Sequence, residues 1–105
     1  MTCDRADAPG RVLCGVEARV GPEESIAWGD VVLVGTPPFV AALRGRIGPD
    51  DATVREAHTW RWALALAIRQ RGSGNVDARV RLVVCRGERC APRIVPVKGL
   101  VVAGP

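Results

Sequence analysis

Two cysteines separated by four residues, in Cys85-Arg86-Gly87-Glu88-Arg89-Cys90, are the side chains of this sequence best placed to do chemistry. A pair at that spacing serves either as a structural clip or as a thiol–disulfide exchange site, and the residues alone leave both open. If residues 86–89 form a hairpin loop, the two cysteines oppose each other with Cα atoms about 4.5–5.5 Å apart, within disulfide reach. Gly87 can take the positive φ that such a loop needs. Arg86 and Arg89 would favour a thiolate in a reduced form, which makes them candidate tuning residues. Exchange also needs an accessible sulfur. Alternation places Cys85 with Asp77, Arg79, Arg81 and Val83, on the face opposite Val76, Ala78, Val80, Leu82 and Val84.

The other cysteines, Cys3 and Cys14, complete an even count in a short chain. That arithmetic reads as disulfides in an oxidising compartment, although spacing alone permits three pairings. Cys14 falls on the apolar face of an alternating run, so a bridge to Cys3 would be structural. Closing its loop of roughly 12 residues would stabilise by about 3 kcal/mol in the chain-entropy model. A periplasmic or secreted location follows as an expectation. Met1-Thr2-Cys3-Asp4 does not open a signal peptide, so the expected species is a mature form lacking one. No apolar run approaches the roughly 20 residues of a membrane span, and no membrane insertion is expected.

Other chemistries find little support. The formal net charge is +4, but the arginines are scattered, tyrosine is absent and a single phenylalanine is present, so no nucleic-acid partner is expected. The cysteines and His58 lack paired zinc-ligand spacing, and neither metal nor cofactor is expected. Gly72-Ser73-Gly74 lacks the Lys-Ser/Thr of a phosphate loop, and no serine sits in a nucleophile motif. The residues do not decide whether the chain is an enzyme.

The elements that must position the cysteines are strands. Residues 1–10 read as an extended tail, and 11–105 as a single β-sandwich domain. Arg11 to Val20 alternates, with Val12, Cys14, Val16, Ala18 and Val20 on one face. A second strand spans about Ser25 to Gly35, with a bulge expected at Gly29-Asp30 and two covered faces at Val31–Val34. Phe39 to Ile47 fits either a short strand or one helical turn. Ala52 to Arg71 has helical propensity but a strand pattern: His58, Trp60, Trp62, Leu64, Leu66 and Ile68 hold every even position. A helix would split that set into stripes about 160° apart, so a strand is expected. Val76–Cys85 and about Ile94–Val102 follow, the latter an edge or bulged strand because of Pro96 and Gly99. Short strands separated by Gly/Pro turns predict an all-β antiparallel sandwich.

Val80-Arg81-Leu82-Val83-Val84-Cys85, then Cys90-Ala91-Pro92 and Ile94-Val95-Pro96-Val97, resembles the end of the amino-terminal periplasmic domain of the thiol:disulfide interchange reductase DsbD. The resemblance covers about residues 76–102. It implies an immunoglobulin-like sandwich, about seven strands here, and a redox pair at Cys85 and Cys90. It also implies a thioredoxin-like or other periplasmic protein partner: the domain would receive electrons from a thioredoxin-like partner and pass them to oxidised periplasmic proteins.

Overall fold

Alternating apolar residues build two sheets whose inner faces meet. A computed structural model describes residues 1–104. The strands are β1 (Thr2–Cys3), β2 (Gly10–Arg19), β3 (Ser25–Gly35), β4 (Val40–Ala42), β5 (Arg46–Ile47), β6 (Val54–Arg55), β7 (Thr59–Ile68), β8 (Gly72–Arg86) and β9 (Arg89–Ala103). One antiparallel sheet has the order β1-β2-β7-β4, with β6 also on β7; the other has the order β5-β3-β8-β9. With β6 as strand D beside β7, this is the strand order of an immunoglobulin-like sandwich, A-B-E-D facing C′-C-F-G, and β4 is an additional strand on β7 that precedes C′ (β5) in the chain. Nine strands form rather than about seven, because β1, β5 and β6 are two-residue pieces too short to leave a periodic signal.

The pattern defeats the propensity in β7. Trp60, Trp62, Leu64, Leu66 and Ile68 all turn inward and are buried, which only a period of two allows. Both tryptophans therefore belong to the core. Buried Trp62 donates its Nε1–H to the Gly48 carbonyl at 3.1 Å, which meets the polar demand of the indole. Gly29 lies beneath it: a Cβ there would come within 2.9 Å of the Trp62 ring and 3.0 Å of Leu82. His58 precedes β7 and is exposed rather than starting its inner row.

Several local expectations are corrected. The bulge in β3 falls at Ala27, with a second irregularity at Val34, not at Gly29-Asp30. Ala27 shifts the register by one, so Trp28 pairs with Val83 on the outer face and Gly29 with Leu82 on the inner. Val34 is exposed and Val32 and Leu33 only half-buried, so the apolar run is not covered on both faces. Phe39–Ile47 resolves into β4 on β7 and β5 on β3, so the chain changes sheets between them. Residues 1–10, read as an extended tail, pair into the sandwich as well as being bridged to it through Cys3. Thr2 and Cys3 pair with Gly15 and Cys14, and Ala6 forms a parallel bridge with Ala103 in the other sheet. Backbone hydrogen bonds of 3.1 and 2.8 Å join Ala6 to Val102 and Gly104. Pro105 lies outside the described residues.

Candidate functional site at the β8–β9 hairpin

β8 and β9 pair without interruption from Gly72–Ala103 to Arg86–Arg89. The expected four-residue loop is a two-residue turn, Gly87-Glu88, with φ +60° at Gly87 and no positive φ at Glu88. Glycine at the first central position is the mark of a type II′ turn, whose twist suits a hairpin. A turn of this length makes Arg86–Arg89 a hydrogen-bonded pair. By alternation, Cys85–Cys90 is then a non-hydrogen-bonded pair, the closer kind. Its Cα atoms lie 4.0 Å apart and its sulfurs are bonded. Pro92 and Pro96, opposite Val83 and Arg79, fall at the same kind of position, where β9 lacks no ladder donor.

The bridge lies on the outer face of the sheet. Cys90 is exposed and Cys85 half-buried. Since β9 is the edge strand, one side of Cys90 is open to water, while Ser25 of β3 flanks Cys85. Beside this row run two others: Trp28, Val83 and Pro92, then Asp30, Arg81 and Ile94. Ile94 is 61% exposed, so the sulfurs border an apolar strip on open surface.

Arg86 and Arg89 do not share the cysteine face. Register places them on the opposite side, and Arg86 meets Glu23 of the β2–β3 turn at 3.3 Å. Arg93, also on that side, donates to Glu24 at 2.8 Å. The arginine hydrogen bond is the main reason the Glu24 carboxyl lies below its ordinary range. The His58 Nδ1–H donates to the Glu24 carbonyl at 2.6 Å, so the β2–β3 turn that holds the turn end of the hairpin is itself tied to the segment just before β7.

Asp30 is a residue that sequence reasoning missed. It is fully buried although it points outward. Arg81 covers it with two hydrogen bonds, one of 2.8 Å from Nε, and Arg46 adds a third at 2.7 Å. Burial pushes its carboxyl up, but the two guanidiniums outweigh that and hold it below the usual carboxylate range. Only the register that brings Asp30 beside Arg81 reveals the cluster.

Cys3–Cys14 is the counterpart. Its Cα atoms are 3.9 Å apart, and Cys14 is wholly buried on the inner face. No protein-family model matches this chain, and no curated protein matches it.

Proposed function

We propose that this chain is an exported thiol–disulfide exchange module that works through Cys85–Cys90. The observation that carries the reading is the placement of that bridge on the outer face of an edge hairpin, with Cys90 exposed. The resemblance of residues 76–102 to the DsbD amino-terminal domain supports it. Two disulfides in so short a chain support an oxidising compartment. A thioredoxin-like protein with a reduced cysteine pair is the proposed electron donor, and an oxidised periplasmic protein the acceptor.

Cys90 is the sulfur attacked. The line from Cys85 through Cys90 leads off the sheet edge, whereas the reverse line runs toward Ser25. A partner thiolate attacks Cys90 Sγ, the Cys85–Cys90 bond breaks, and Cys85 leaves as a thiolate that takes a proton from water. The partner's second thiolate then attacks its own sulfur in the mixed disulfide and releases Cys90. The partner is oxidised and the pair reduced by two electrons. Reversal toward an oxidised protein passes those electrons on.

One observation favours a second reading, a non-catalytic module with two staples: the hairpin ladder already holds Cys85 and Cys90 in register. A redox titration in glutathione buffers decides between them. An exchange site gives a potential between about −120 and −270 mV, and a value below about −300 mV refutes exchange.

A further inference from the structure

The outer face of the hairpin sheet carries a cluster of charge that the exchange chemistry does not use. Rows of side chains lead away from the cysteines along β8. Trp28, Val83 and Pro92 come first, then Asp30, Arg81 and Ile94, then Arg46, Val32, Arg79 and Pro96. At about 3.4 Å per residue, the Arg81 and Arg79 rows lie roughly 13 and 20 Å from the cysteine row. The cluster is lopsided. Asp30 is its one carboxylate and is taken by Arg81 and Arg46. Arg79 makes no ion pair among the described residues, and Asp77, further along the face, pairs with Lys98 at 3.7 Å. Three guanidiniums against one carboxylate leave two positive charges unmatched.

Asp30 uses only part of what the arginines offer. Arg46 gives it the Nε–H, and Arg81 the Nε–H and an Nη2–H. A guanidinium has five N–H donors in a fixed fork, so most of them remain. Both side chains are half in water. The buried carboxylate therefore pins two forks against the sheet and leaves their other donors accessible, a preorganised seat for a further carboxylate. The same facts choose the occupant. A second copy laid face to face would set arginines against arginines. A nucleic acid wants stacking platforms, and half-buried Trp28 is the single aromatic on this face. A free phosphate wants an enclosing nest of N–H groups, and this is an open sheet. A protein surface bearing Asp or Glu matches the charge, and from there it also covers the Trp28 row and reaches Cys90.

We propose that the exchange partner carries carboxylates about 13–20 Å from its reactive sulfur, and that these seat on Arg46, Arg79 and Arg81 and so align that sulfur with Cys90. This inference rests on the exchange reading and adds to it the charge and spacing of the partner.

The probe is a set of capped peptides with a central cysteine held as a thiopyridyl disulfide. Glutamate, glutamine or lysine stands about four and six residues to either side, the same spacing as the arginine rows. Protein with Cys85 and Cys90 reduced is mixed with each. The Cys90 thiolate attacks the peptide sulfur, and thiopyridine thiolate leaves and takes a proton from water. Cys85 then attacks Cys90 Sγ, restores the bridge and releases the peptide thiol. The peptide disulfide gains the two electrons that the pair loses, and thiopyridone absorbance gives the rate. The glutamate peptide should react about tenfold faster than the lysine peptide at low ionic strength, and within about twofold of it at about 0.5 M salt. Arg79→Glu should remove most of that ratio. Arg11→Glu, an equal charge change on the outer face of the other sheet, should leave it. Equal rates for all peptides overturn the proposal, as does a ratio that both variants lower alike, since net charge then explains it. Stronger inhibition by a short oligonucleotide than by a cysteine-free glutamate peptide assigns the face to nucleic acid and overturns it. A rate constant that falls as protein concentration rises assigns it to a second copy and does the same. A potential below about −300 mV with the ratio intact refutes exchange and leaves the acidic docking face standing.

Discussion

Both disulfides join directly opposed residues on neighbouring antiparallel strands, yet they sit on opposite faces of their sheets. Cys3–Cys14 lies against the core, with Met1 and Cys3 packed over Gly99 so closely that a Cβ there would meet both at 3.0 Å. Cys85–Cys90 has an apolar strip and water around it. The covalent chemistry is identical; parity of position along the strand decides which bridge a partner can reach. The difference teaches that a bond's role follows from the face its residues occupy, not from spacing in the sequence.

The largest expected effect is kinetic. Under native conditions a small thiol should open Cys85–Cys90 first, and Cys3–Cys14 at least about 100-fold more slowly, since Cys14 is reached only by a local opening of a few kcal/mol. Timed alkylation and peptide mapping would show this; equal rates would erase the contrast. Stability should separate the two regions next. Cys3→Ala with Cys14→Ala should cost about 3 kcal/mol, and Cys85→Ala with Cys90→Ala about 2, because the second loop is shorter. Denaturant unfolding measures both, and the reverse order would contradict the assignment of roles.

The outer face of the hairpin sheet should also show acid sensitivity. With Asp30 held below its unfolded-state range, its contribution is present above about pH 4 and is lost as pH falls through the lower folded value. Asp30→Asn should remove that part of the acid dependence and cost about 1 kcal/mol at neutral pH, since both arginines are half in water. Thermal melts across the acid range would test it, and an unchanged slope would assign the dependence to other carboxylates. The smallest effect sharpens the site itself. Arg86 is matched by Glu23, whereas Arg89 makes no ion pair among the described residues. Arg89→Gln should therefore slow alkylation of the reduced hairpin by about twofold and Arg86→Gln much less. Equal slowing would show that both charges act on the sulfurs.

Period-two patterns made the main strands legible. Trp60 to Ile68 could not form one stripe on a helix, and Val76 to Cys85 declared its two faces. The cysteine hairpin was legible for the same reason, although Gly87-Glu88 closes it with a tighter turn than four residues. Features set by long-range register were not. The extra residue at Ala27 decides whether Trp28 faces core or water, and local sequence carries no mark of which residue is left unpaired. Asp30 reads as half of a bulge until Arg81, fifty-one positions away, is placed beside it. The two-residue β1 has too few positions to display a period, so its segment resembles a tail.

The crossing of residues 1–6 between the sheets has a mechanical consequence. With β1 on β2, and Ala6 bonded between Val102 and Gly104, the two terminal segments fasten one another. Neither can fray without releasing the other, so loss of this clasp should couple both layers in a single cooperative step. Amides near Ala6 and Ala103 would then exchange together, and as slowly as strand interiors.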